Sequence, residues 1–245
     1  MASHNSSARV VILKTGTTYP EIRDRFGDFD AWFLRGLASG LSTQVADVTT
    51  GKLPGEPASW DGILVTGSPA MVSDREPWSE AAAQWLAAAV DARIPVLGVC
   101  YGHQLLAHAL GGEVGYHPDG RETGTKMVEL LPAAKDDALF RKLPERFPAQ
   151  LTHRQSVLKL PPEAELLARS AFEPHQAFRV GPCAWGVQFH PEFTDDIMRA
   201  YLQAQAPELA VEGLDLNRLL QEVTPAPEAS SLLLQFSDYV LTRQS

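Results

Sequence analysis

Ile94-Pro95-Val96-Leu97-Gly98-Val99-Cys100-Tyr101-Gly102-His103-Gln104 decides the fold. An apolar run leads into a Gly-x-Cys-x-Gly bend, and a helix-like run from Gln104 to Leu110 follows. A strand, a tight turn and a helix with a nucleophile at the bend make a nucleophile elbow. Such a turn is strained, so small residues flank it. The bend throws the Cys100 side chain out above the sheet. The N-terminus of the new helix favours negative charge there and can hold an oxyanion.

A nucleophilic cysteine needs a base. Ala184 to Phe189 reads as a buried strand, with His190 at its carboxyl end. Chemistry in open α/β sheets gathers outside that edge. Pro191 stops the strand, and Glu192 lies two residues beyond His190, close enough to reach back to the imidazole. The assignment is Cys100 as nucleophile, His190 as base and then acid, and Glu192 as orienter.

The rest of the chain fits an α/β domain. Arg9–Leu13 predicts a first central strand, residues 15–28 a long loop, and Asp30 the N-cap of a helix carrying Trp32, Phe33, Leu34, Leu37 and Leu41. Val45–Val48 and Ile63–Val65 predict strands, and Pro77–Val90 an amphipathic helix. Alternating strands and helices predict a parallel sheet covered on both faces. Short strands near 125–131, 150–152, 166–168 and 177–180 predict added antiparallel strands. Beyond His190, Thr194 is a cap for a helix through Gln203, and further helices are expected at 214–223 and 228–242. The apolar face of the last one is expected to dock on the domain body, with a homodimer contact as its alternative use.

Bulk composition is that of an ordinary globular protein: 245 residues, 44% hydrophobic, 21% charged and a formal net charge of −9. Nothing in that balance favours nucleic acid or an anionic membrane, both of which reward concentrated basic surface. No apolar run is long enough to span a bilayer. Residues 1–8 are expected to be poorly ordered, and they lack the apolar core of a signal peptide. Two cysteines, Cys100 and Cys183, make no disulfide framework. A reduced, cytoplasmic protein is expected. Cys183 reads as a structural thiol and the five tryptophans as core. His153 is left open between structure and function. His103 and His108 lie on the elbow helix, but no compact ligand set accompanies them, so no metal and no cofactor are expected.

Gly98-Val99-Cys100-Tyr101-Gly102-His103-Gln104 together with Gly186-Val187-Gln188-Phe189-His190-Pro191-Glu192 resembles the class I glutamine amidotransferases, with the glutaminase domain of GMP synthase as the nearest relative. Leu64-Val65-Thr66-Gly67-Ser68-Pro69 resembles the segment that builds that family's oxyanion hole. Thr152-His153-Arg154-Gln155-Ser156-Val157 resembles its His-Gly-Asp-x-Val segment, with Arg154 and Gln155 in place of Gly and Asp.

The resemblance covers residues 9–193, with 194–245 as a helical extension packed on the same domain. It implies a flavodoxin-like, doubly wound domain that hydrolyses the side-chain amide of glutamine and passes ammonia to a synthetase. It further implies that the backbone N–H of Tyr101 and of Gly67 or Ser68 hold the oxyanion. Gln104 would contact bound glutamine, and Arg154 and Gln155 would do so through backbone groups.

Three activities compete. One is a glutaminase supplying a separate synthetase. Another is a free-standing γ-glutamyl hydrolase or peptidase on the same triad. The third is a catalytically silent binding protein; such proteins usually lose one triad member, and this chain carries all three. No P-loop and no Ser-Gly-Gly-x-Asp-Ser nucleotide loop occurs in the chain, so ATP-dependent synthesis is expected on another protein.

Overall fold

Five parallel strands form one side of a nine-stranded sheet in the computed structural model, which describes residues 7–243. They are β1 (Ala8–Lys14), β2 (Leu41–Asp47), β3 (Gly62–Val65), β4 (Val96–Val99) and β11 (Ala184–Val187), in the order β2-β1-β3-β4-β11. Four strands extend the sheet antiparallel from β11, namely β10 (Ala177–Val180), β9 (Glu165–Arg169), β6 (Glu122–Leu130) and β7 (Arg146–His153). A separate two-stranded sheet pairs β5 (Glu113–Tyr116) with β8 (Gln155–Lys159). The fold is therefore the flavodoxin-like α/β arrangement with added antiparallel strands.

Side chains on a strand alternate between its two faces. In β1, Val10 and Ile12 join one core with Leu64, Leu97 and Val99, while Val11 and Leu13 join a second with Ile63, Val65 and Val96. Helix α2 (Phe29–Gly36) and the last helix, α8 (Pro227–Thr242), cover the first face. Helices α3 (Pro77–Asp91) and α4 (Tyr101–Ala109) cover the second. Burial on both faces explains why these strands read as continuous apolar runs. Leu232, Leu233, Phe236 and Val240 of α8 are buried in the first core, so its apolar face is used within the chain. Four of the tryptophans are buried, and Trp78 is partly so, stacked on Tyr101.

A third apolar cluster lies near the site. It joins Ile22 of α1 (Pro20–Phe26), Trp32 of α2, and Phe193 with residues of α5 (Asp195–Ala204), α6 (Ala206–Val211) and α7 (Leu216–Glu222). Thr194 caps α5, its hydroxyl accepting from the Ile197 N–H at 3.2 Å.

Several local elements differ from what the sequence pattern predicts. The stretch 15–28 contains α1 rather than a continuous loop. Pro20 occupies its first turn, and Gly27 ends it with φ 86°, a conformation glycine adopts freely. Asp28, not Asp30, caps α2 and accepts from the Phe29 N–H at 2.9 Å. Asp30 instead pairs with Lys14 at 2.8 Å. Leu41 opens β2 instead of closing α2, β4 starts at Val96, and β11 ends three residues before His190. Ala8 belongs to β1; residues 1–6, where poor order is expected, lie outside the described residues.

Candidate active site

Cys100 stands between β4 and α4 with φ 52° and ψ −103°, a backbone conformation that side chains with a Cβ rarely adopt. Its N–H donates to the Val187 carbonyl at 2.8 Å, which ties the bend to β11. The flanking glycines are sterically required. A Cβ on Gly98 would lie 2.3 Å from the Gly102 carbonyl oxygen, and one on Gly102 would lie 2.5 Å from that of Val65. The elbow is thus built by close backbone approach.

His190 and Glu192 come together beside it. His190 Nδ1 is 2.7 Å from Glu192 Oε1, and both side chains are buried. Phe193 stacks on the imidazole at 4.1 Å between centroids and holds its plane. The His190 N–H donates to the Gln150 carbonyl at 2.9 Å, which seats the segment on β7. Burial opposes a charged imidazole. Glu192 first and Cys100 next outweigh that opposition, and the pKa is pushed up to about 10. The Nε2 atom makes no hydrogen bond.

Gly67 faces both groups. A Cβ there would lie 3.2 Å from His190 Cε1 and 3.9 Å from Cys100 Cβ. The Thr15 and Thr66 hydroxyls each donate to the Gly67 carbonyl at 2.9 Å, which fixes the Gly67–Ser68 peptide. Ser68 Oγ donates to the Thr15 carbonyl at 2.6 Å, so the side chain anchors its loop.

A cavity of about 380 Å³ opens above Cys100 and is lined by Ser68, Tyr101, Gln104, Arg154, Gln155 and His190, among others. That volume suits a small-molecule ligand. Gln104 is buried; its Nε2 donates to the Gln155 carbonyl at 2.7 Å and to Gln188 Oε1 at 2.9 Å. The Gln155 side chain turns toward Ser73, accepting from its N–H at 3.3 Å. His153 is buried, with Nδ1 2.8 Å from the Gln155 carbonyl and Nε2 2.9 Å from Glu122 Oε2. It therefore holds the Gln155 backbone from one side while Gln104 holds it from the other.

Sequence reading missed Arg121, Glu208 and Glu212. Arg121 and Glu208 line the cavity, and Glu212 grips Arg121 at 2.8 and 3.1 Å and Arg154 at 3.1 Å. These partners come from distant segments, so no local pattern announces them.

The other candidates lie elsewhere. His103 packs against Phe178, and burial lowers its pKa to about 3, which keeps it neutral. His108 pairs with Glu80 at 2.8 Å. Cys183 is unpaired and buried, and burial pushes its thiol pKa up. Among the described residues, no three His, Cys, Asp or Glu side chains group as metal ligands, and no helix is long and apolar enough to cross a membrane.

Comparison with known proteins shows the family. Residues 27–205 match the family model described as glutamine amidotransferase class-I. A GMP synthase [glutamine-hydrolyzing] of Thermomicrobium roseum is 41% identical over 131 residues, which are 54% of this chain and 23% of that protein. One subunit of the GMP synthase [glutamine-hydrolyzing] of Methanocaldococcus jannaschii is 36% identical over 133 residues, 54% of this chain and 64% of the relative. The chain thus spans about a quarter of the first of these relatives. In fold it is similar to a solved glutamine amidotransferase from Thermotoga maritima, with a TM-score of 0.71, 24% identity and 97% of both chains covered. With the family model matching well over half of its length, the chain belongs to the class I glutamine amidotransferases.

Proposed function

We propose that this chain hydrolyses the side-chain amide of glutamine through a γ-glutamyl thioester on Cys100 and supplies the ammonia to a synthetase on another chain. The observation that carries the reading is the buried His190–Glu192 contact beside a cysteine on a strained elbow. An amide is a poor electrophile with a poor leaving group, so covalent catalysis divides the barrier.

In the first half, Cys100 Sγ attacks the amide carbon and the carbonyl electron pair moves onto oxygen. The N–H groups of Tyr101 and of Gly67 or Ser68 receive that oxyanion. Losing one such donor typically raises the barrier by about 3–4 kcal/mol. The C–N bond then breaks. His190, which carries the proton that left the thiol, delivers it to departing ammonia. In the second half, water attacks the thioester while His190 takes its proton. The C–S bond breaks, and glutamate leaves. Glu192 fixes the imidazole orientation and stabilises its charged form in both halves.

The Methanocaldococcus jannaschii relative is named as one subunit of its synthase, which supports a separate synthetase partner. Two unpaired cysteines support a reducing, cytoplasmic setting. The second reading is hydrolysis of another γ-glutamyl compound. It is favoured by Arg154 and Gln155, which stand where the resemblance leads one to expect Gly and Asp, at the cavity wall.

The decisive experiment is intact mass after incubation with a glutamine-like diazo-ketone, with Cys100→Ala as control. A single adduct absent from the control supports the thioester route. If a simple alkylator modifies Cys100 and the diazo-ketone does not, plain glutaminase activity of the isolated chain is rejected.

A further inference from the structure

Two cavity-lining side chains, Gln205 and Glu208, come from the first turn of helix α6 and the residue before it. Gln205, Glu208, Leu209 and Glu212 recur at the three- and four-residue spacing that puts side chains on one side of a helix. Leu209 is buried in the third apolar cluster and pins that side inward. Gln205 accepts from the Thr152 hydroxyl at 3.1 Å, against the segment beside Cys100. Glu208 then lines the cavity, and it is the one carboxylate among the described residues that do so. Its Oε2 is shielded from solvent and has no hydrogen-bond partner among the described residues. A shielded carboxylate oxygen without a donor is costly unless a ligand supplies one.

The neighbouring wall has the opposite charge. Arg121 and Arg154 both line the cavity, and both bind the single carboxylate of Glu212. Two guanidiniums share one carboxylate, so one positive charge is left unbalanced. The Arg121 side chain is only 5% exposed, held by Glu212 in a two-point contact. Arg154 is 40% exposed and keeps donors free.

We infer that Glu208 binds the α-ammonium of the substrate and that the Arg121–Arg154 pair, oriented by Glu212, binds its α-carboxylate. This deepens the γ-glutamyl reading of the site and rests on it. The cavity thereby offers one unpartnered carboxylate and one surplus guanidinium charge, the complement of an amino-acid zwitterion, with the γ-amide directed at Cys100. The subsite recognises the γ-glutamyl head group and is indifferent to the leaving group, so glutamine and γ-glutamyl dipeptides share it. It also gives the helical extension a direct part in substrate selection.

The test uses the full chain. Binding of L-glutamine, γ-L-glutamylglycine, glutaramate (which lacks the α-amino group) and glutamine α-amide (which lacks the carboxylate) is measured by calorimetry on Cys100→Ala, alone and combined with Glu208→Gln or Arg154→Met. Turnover of the same compounds is measured with Cys100 intact. Contacts to charged groups of this kind predict that Glu208→Gln weakens L-glutamine binding roughly 10–100-fold and raises KM with little change in kcat. Glutaramate, already weak, is unaffected by Glu208→Gln. Arg154→Met weakens L-glutamine and leaves glutamine α-amide unchanged. A merely structural role for Glu208 would weaken L-glutamine and glutaramate equally, and that result overturns the inference. So does failure of both L-glutamine and γ-L-glutamylglycine to bind. If both bind in a Glu208-dependent way but the intact enzyme releases no ammonia, the subsite stands and the glutaminase reading falls.

Discussion

Glu192 Oε1 lies 2.7 Å from His190 Nδ1, and both side chains are buried. Burial disfavours the imidazolium, and the Glu192 carboxylate, followed by Cys100, outweighs that, so the pKa is pushed up from 6.5 to about 10. The sign follows from linkage. A pKa raised on folding contributes stability that is fully present below the unfolded value of 6.5 and is lost as pH rises through about 10. Glu192→Gln removes the charge and keeps the shape. The expected outcome is an NMR titration midpoint for His190 well below 10, and a kcat reduced roughly 10²–10⁴-fold. The stability gap between wild type and variant is widest below pH 6.5 and narrows toward pH 10. An unchanged His190 midpoint would refute the electrostatic role.

Asp28 organises the loop at the mouth of the cavity. Its Oδ1 accepts from the N–H groups of Phe29 and Thr18 at 2.9 Å each, and its Oδ2 pairs with Lys14 at 2.8 Å. Burial raises its pKa, but the Lys14 and backbone hydrogen bonds outweigh that and hold it below 3.8. The stability this shift contributes is present above pH 3.8 and is lost as pH falls through the lower folded value. Asp28→Ala is expected to cost about 1–3 kcal/mol by chemical denaturation at pH 7. Because Thr18 lines the cavity, KM for substrate should rise as well. A loss under about 0.5 kcal/mol, on the order of an exposed surface change, would contradict the capping role.

Much of the fold was legible because its signals are local. The G-x-C-x-G bend, the apolar strands β1, β3 and β10, and helices α3, α5 and α8 all carry their pattern within a few residues. His190 and Glu192 were readable for the same reason, since they lie two positions apart. The cap of α2 was not. Asp28 and Asp30 are both good cap residues and Lys14 binds both, so what separates them is the Thr18 N–H, which donates to Asp28 from ten positions upstream. Helix α1 was hidden because Ile22 is its one buried residue, which leaves no apolar stripe to read. Strands β5 and β8 depend on each other across the chain. The Arg121–Glu212 contact joins positions 91 residues apart, so it exists only in the folded chain.

Phe236 tests whether α8 is part of the core. It is fully buried in the cluster that also holds Val10, Ile12 and Leu97 of the parallel strands. Truncating a buried phenylalanine typically costs about 3–5 kcal/mol, through lost burial and the cavity left behind. Phe236→Ala should therefore lower Tm strongly, while Leu234→Ala, at a position 49% exposed, should leave it almost unchanged. Equal and small effects would mean that α8 is not integrated with the sheet.

The elbow itself makes an unusual stability prediction. Replacing alanine by glycine ordinarily destabilises a folded chain by about 0.5–1 kcal/mol, because glycine has more freedom to lose. At position 100 the backbone has φ 52° and ψ −103°, where any Cβ is strained. Strain of this kind is worth about 1–3 kcal/mol. Glycine relieves it, so the usual order should reverse. Cys100→Gly is expected to melt at or above the temperature of Cys100→Ala, although it loses a methyl group that sits in a buried site. Both variants lack the thiol, so neither should form the diazo-ketone adduct, and the comparison isolates the backbone. A Cys100→Gly protein that melts several degrees below Cys100→Ala would show that the bend is unstrained. The two flanking glycines would then be needed only for the close approach of Gly98 to Gly102 and of Gly102 to Val65.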